Sequence, residues 1–244
     1  MGLLITLVLG LFIVIGAIVT FVSKNNNKFV NFSISLAFSV MIMLMIVDLI
    51  PEVKEIFLDE FGNFKGIILS LLGIIVGVVL LKILDRFIPE HDGHEKEELN
   101  HIGLISSIAL VLHNIIEGMA VYATVNNSLE SGLLMCLGIG LHNIPLGMVI
   151  TSTFYKANNN KIKTWIIISL VSLSTFVGGL IMLLLSGTLV NELILGILLS
   201  ITLGMLIYIT IFELLPKIIE MKNKKNCIFG LLTGVILILI TLFI

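Results

Sequence analysis

Charge is what this chain has least of. Only 12% of its 244 residues are Asp, Glu, Lys or Arg, where an ordinary soluble domain carries about 25%. Hydrophobic residues make up 58% and the mean hydropathy is +1.17. So little charge cannot clothe an apolar core, which excludes the soluble globular class. Cysteine is nearly absent too. Cys136 and Cys227 are the two present, which argues against a disulfide framework and leaves Cys136 as a packing residue. Prolines number four, so most apolar runs go unbroken. The net charge of −2 says little about partners by itself, and no nucleic acid and no organic cofactor are expected.

What the chain has is length of apolar run. A bilayer crossing needs about 20 residues, and eight segments qualify: 2–22, 30–50, 65–87, 102–124, 130–155, 163–187, 190–216 and 226–244. The expected fold is an all-α membrane protein, one polytopic domain over 1–244 with the lipid bilayer as its surroundings. The first segment lacks a basic n-region and an A-x-A-like cleavage site, so it reads as a helix, not a signal peptide. Eight spans make two sets of loops. One set holds Lys24, Lys28, Lys82, Arg86, Lys96, Lys156, Lys161, Lys163, Lys217, Lys222, Lys224 and Lys225, and the other only Lys54 and Lys65. The positive-inside rule makes the first set cytoplasmic and puts both termini outside the cell membrane.

Against that background a few polar residues stand out. His113-Asn114-Ile115-Ile116-Glu117-Gly118 and His142-Asn143-Ile144-Pro145-Leu146-Gly147 both read H-N-I-x-x-G, in spans four and five. A rise of about 1.5 Å per residue puts both histidines near the bilayer midplane. A second pair of echoes is Asp48-Leu49-Ile50-Pro51 and Glu213-Leu214-Leu215-Pro216, expected at the outer end of span two and the inner end of span seven. Each pair lies on spans running in opposite directions, the pattern of an inverted repeat arranged as three helices, two, and three.

His113 and Glu117 are spaced i, i+4 and share a helix face. Imidazole nitrogen and carboxylate oxygen suit a borderline dication such as Zn²⁺, Fe²⁺ or Mn²⁺, and His142 offers a third ligand. Asn114 and Asn143 can add carbonyl oxygens or hold water. Histidine and asparagine also glue membrane helices together, which is the blander reading of any one of them. Met41 offers a soft thioether, though methionine in an apolar helix is usually packing. His91, His94 and His101 form a possible loop metal site in the cytoplasmic segment of about 88–101.

These residues resemble the ZIP (Zrt-, Irt-like protein) family of divalent metal transporters, in particular its bacterial GufA-like branch. The likeness covers essentially the whole chain and is most specific at H-N-x-x-E-G in span four. It implies a transport site between spans four and five, with His113, Asn114 and Glu117 as ligands, His142 and Asn143 on span-five ligand positions and Met41 on a looser span-two match. It implies uptake of Zn²⁺, with Fe²⁺, Mn²⁺ or Cd²⁺ as other cargo, and a homodimer. The chain departs from the family where H-N-I-P-E-G becomes H-N-I-P-L-G, with Leu146 for glutamate, and where Thr175 stands in for a span-six glutamate. Both departures remove charge from the place of a second dication, so the expected site is mononuclear.

The resulting expectation is alternating access. The ion is attracted by Asp48 and Glu52, held by His113, Glu117 and His142, and released past Glu213. An intramembrane metalloprotease would need H-E-x-x-H, which neither segment supplies, so no enzyme is expected. Iron or manganese as main cargo, and a degenerate metal-binding sensor or scaffold with little transport, remain the alternatives.

Overall fold

The computed structural model describes residues 1–23, 26–88, 95–185, 192–222 and 224–241. His91 and His94 lie outside the described residues. Every described element is helical: α1 (Gly2–Val22), α2 (Asn27–Leu44), α3 (Ile50–Asp85), α4 (Glu95–Asn127), α5 (Leu129–Asn158), α6 (Lys161–Leu185), α7 (Glu192–Tyr208), α8 (Leu215–Glu220) and α9 (Lys224–Thr241). Wide π-helical turns at Met45–Leu49 and Ile209–Leu214 join α2 to α3 and α7 to α8. Local sequence sets several boundaries. Asn26 caps α2 by accepting from the Phe29 N–H at 3.0 Å, and Asn159 ends α5 in the left-handed region at φ 48°.

Among the described residues, seven helical runs are long and apolar enough to cross a membrane. The run Asn27–Asp85, at 59 residues, is far too long for one crossing. It breaks at Gly62, whose φ of 74° is open to glycine and strained for other residues. The chain folds back there, because a Cβ on Gly66 would meet the Phe57 carbonyl oxygen at 2.5 Å. Nine residues of unbroken helix would hold those two positions about 13 Å apart.

The helix thus runs past Pro51, where the sequence suggests a span end, and Asp48 lies inside it. Glu213 is likewise internal, since helix continues through Pro216 to Glu220. Proline has no N–H to donate and its ring crowds the carbonyl four residues back. In both places the preceding turn widens to relieve this: the Ile50 N–H bonds the Met45 carbonyl and the Leu215 N–H bonds the Thr210 carbonyl, each five residues back.

The packing repeats itself. α1 lies on α5 as α6 lies on α4, and α2 lies on α9 as α7 lies on α3. Glycines make the first correspondence specific. Gly118 of α4 faces the Thr175 carbonyl and Gly178 of α6 faces the Ile115 carbonyl. Gly147 of α5 faces the Ile13 carbonyl and Gly16 of α1 faces the Ile144 carbonyl. A Cβ at any of the four would sit inside contact distance of that oxygen, so the helices meet backbone to backbone as small residues in membranes allow.

The interior joins α1, α2, α4, α5, α6 and α7 through residues such as Ile13, Met41, Ala109, Leu146, Val171 and Met205. The outside is apolar as well. Leu4, Val8, Leu11, Ile15 and Ile18 form an exposed stripe on α1, and Ile166, Leu170, Leu173 and Val177 another on α6. Apolar side chains facing both ways are what a helical membrane protein presents to lipid.

Candidate metal centre

The two repeated segments lie against one another where α4 and α5 pack. Helical spacing aims His113 and Glu117 the same way, and the α5 register sets His142 opposite them. His113 Nε2 lies 2.8 Å from Glu117 Oε1, and His142 Nε2 lies 2.9 Å from the same oxygen. All three side chains are buried. One carboxylate oxygen therefore receives two imidazoles from two helices. Only His142 has hydrogen-bond alignment with it, and the buried His113 Nε2 has no hydrogen-bond partner.

Buried carboxylates need compensation, because desolvation otherwise costs several kcal/mol. Two imidazoles supply it, and a cation among the three groups supplies more. Ligand atoms about 2.0–2.2 Å from a tetrahedral ion stand about 3.3–3.6 Å apart. The cluster would open by roughly half an ångström to accept one.

The asparagines take different parts. Asn143 Nδ2 donates to Glu117 Oε2 at 3.4 Å, while Asn114 Nδ2 turns to α6 and donates to the Val171 carbonyl at 3.0 Å. Both Oδ1 atoms are buried without a hydrogen-bond partner. An unpaired buried carbonyl is costly, and a water or ion would satisfy it. Met41 is fully buried in the core, its sulfur taking the Thr210 hydroxyl at 3.8 Å.

Open space reaches the cluster from one side. A cavity of about 210 Å³ is lined by Asp48, Glu52, Gly138, His142 and Thr241. A narrower space of about 40 Å³ continues past Asp48 and Glu52 to His113 and Glu117. The wide turn at Met45–Leu49 exposes Asp48 toward this opening. Toward the other side, Ile105, Ala109, Met205, Tyr208 and Ile209 are buried and packed together in the core.

Glu213 sits apart from this cluster. It lies 3.7 Å from His101 Nε2, and His101 Nε2 in turn lies 2.6 Å from Asp85 Oδ1. Asp85 carries no signal of a site in the sequence, where its neighbours Lys82 and Arg86 make it look like an ordinary solvated helix end. Leu146 is buried in the main core, and the fully buried Thr175 has an unpartnered Oγ1, its backbone carbonyl lying against Gly118.

Comparisons with known proteins agree on one family. A model described as the ZIP zinc transporter matches residues 84–242, more than half of the chain. A zinc transporter ZupT of Oceanobacillus iheyensis is 29% identical over 258 residues, covering 99% of this chain and 96% of the relative. One from Streptococcus mutans is 30% identical over 253 residues, again covering 99% of this chain and 96% of the relative. A third, from Chlorobaculum parvum, is 29% identical over 98% of this chain.

Proposed function

The chain belongs to the ZIP zinc transporter family, and from that premise we propose that it imports its dication by alternating access through a single midplane site. It is a multi-pass membrane protein that transports divalent metal, zinc foremost. Eight crossings with both termini outside is the topology that fits the charge distribution, the turn at Gly62 dividing Asn27–Asp85 into two spans. In that topology the cavity beside Asp48 and Glu52 opens outward and the packed side faces the cytoplasm.

The observation that carries the reading is the convergence of His113 Nε2 and His142 Nε2 on Glu117 Oε1 at the closed end of that cavity. A hydrated dication enters a space lined by Asp48 and Glu52, whose negative charge raises its local concentration. It exchanges water for two imidazoles and one carboxylate, a donor set suited to Zn²⁺ and acceptable to Fe²⁺, Mn²⁺ or Cd²⁺. Asn143 steadies the other carboxylate oxygen from α5. Release follows when the packing of Ile105, Met205 and Tyr208 opens, past Glu213.

Leu146 and Thr175 leave Glu117 as the one carboxylate within the cluster of imidazoles. Two dications around one carboxylate would repel strongly in a low dielectric, so one ion is held at a time. His113→Ala in proteoliposomes should abolish Zn²⁺ uptake while the protein remains folded and monodisperse. Uptake at the wild-type rate would overturn the assignment. Metal binding without flux in the wild type would favour a sensor instead.

A further inference from the structure

We propose that the cavity beside the end of α3 binds an anionic phospholipid of the cytoplasmic leaflet. Its phosphate lies between Lys82 and Arg86, and its acyl chains run along Val79 and Ile83. The proposed topology decides which leaflet supplies the lipid, not whether the site exists.

The register of α3 builds the site. Val79, Lys82, Ile83 and Arg86 recur at i, i+3, i+4 and i+7, so they share one helix face, and all four are exposed. They line a cavity of about 590 Å³, within the roughly 300–1,000 Å³ usual for small-molecule sites. Tyr208 of α7 lines the same cavity, so this face belongs to a concavity between two helices. Order along the helix matters as well. Apolar Val79 lies about 10 Å from Arg86 along the axis, and Arg86 stands at the helix end. Hydrocarbon toward the membrane interior and cations at its edge is the order of a phospholipid, tails first and headgroup last.

The two cations have no protein anion to neutralise them. They sit one turn apart, where like charges repel. Asp85 lines the cavity too, but its oxygens are engaged elsewhere: the Tyr208 hydroxyl donates to Oδ2 at 2.7 Å, and His101 Nε2 lies 2.6 Å from Oδ1. Among the described residues neither Lys82 nor Arg86 has an ion-pair partner, whereas Lys217 pairs with Glu98. The helix C-terminus offsets only about half a charge, against two full positive ones. A phosphate between the pair relieves their repulsion.

Snorkelling alone would bring such side chains to bulk headgroups. The cavity is what turns a snorkelling pair into a site, as basic pockets between membrane helices do for anionic lipids. A second cavity, of about 330 Å³, shows the contrast. It is lined by Glu52, Glu55, Asp59 and Glu60 and would repel the same headgroup.

The test is lipid retention by the purified full-length protein, taken from mixed micelles of phosphatidylglycerol and phosphatidylcholine and read by native mass spectrometry. Wild type should keep phosphatidylglycerol in preference to phosphatidylcholine. Each basic side chain near an anionic membrane contributes about fivefold, so Lys82→Gln with Arg86→Gln should weaken retention at least about tenfold. Lys222→Gln with Lys225→Gln removes two exposed charges outside the cavity and should leave retention unchanged. Equal losses in the two double variants would reduce the effect to general surface charge and overturn the proposal, as would no preference in wild type. Displacement by glycerol phosphate as readily as by phosphatidylglycerol would also overturn it, showing a site for a free anion. His113→Ala, which tests the transport site, should retain lipid as wild type does, so either reading can fail alone.

Discussion

The two H-N-I-x-x-G segments are alike in their backbones and unlike in their chemistry. Gly118 and Gly147 occupy equivalent places, each against a neighbouring carbonyl, and Gly178 and Gly16 return the contact in both halves. Four residues after the histidine, however, α4 has Glu117 in a cluster with two imidazoles and α5 has Leu146 in the core. The corresponding helix pairs pack alike through these glycines. That likeness does not extend to the polar side chains beside them. The packing is duplicated, and the charge is not.

The sharpest way to break this comparison is to exchange the chemistry. Glu117→Ala should reduce Zn²⁺ uptake at least 100-fold in proteoliposomes, because the two imidazoles lose the anion between them. Leu146→Ala removes only hydrocarbon from a packed site, costing about 2–5 kcal/mol of stability while uptake persists. If the two variants lost transport equally, the asymmetry would be without functional meaning. The converse is Leu146→Glu, which restores a second carboxylate one helical turn from His142. It should raise the number of Co²⁺ ions bound at the midplane from one toward two.

Next in size is the part of the comparison that should not differ. Gly118→Ala and Gly147→Ala each push a methyl group at a backbone carbonyl that cannot retreat without moving a helix. Overpacking of this kind costs about 1–3 kcal/mol, and the losses in thermal stability should match within error. A large difference would mean that the halves share sequence without sharing packing.

This separation also explains what could be read from sequence. Apolar run length settles where most helices lie, because lipid demands internally hydrogen-bonded backbone whatever the side chains are. The histidines and Glu117 are legible because polar groups stand out in hydrocarbon and i, i+4 spacing fixes a shared face. The turn at Gly62 is not legible, since Pro51 offers a stronger helix-stop signal eleven residues earlier. That signal is absorbed by a wide π turn, an accommodation that propensity does not reveal. Asp85 is illegible for a different reason: its partner His101, which also approaches Glu213, is distant in sequence, and tertiary packing alone unites them.

The smallest effect expected within the comparison belongs to the asparagines. Asn143 donates to Glu117 Oε2 at 3.4 Å, a long bond that steadies the carboxylate from the opposite helix. Asn114 donates at 3.0 Å to the Val171 carbonyl, which also accepts the Ser174 hydroxyl at 2.6 Å. One asparagine therefore supports the ligand and the other supports a helix contact. Partners that orient a metal ligand are worth about 10–100-fold in affinity, and the length of the Asn143 bond puts it at the lower end. Asn143→Ala should weaken Zn²⁺ binding about tenfold with little change in thermal stability. Asn114→Ala should lower thermal stability and leave Zn²⁺ affinity within about twofold, its removal leaving Val171 with the serine bond. If instead Asn114→Ala cost more affinity than Asn143→Ala, its unpaired Oδ1 would be a direct ligand, and the midplane site would draw more from α4 than its histidine and glutamate.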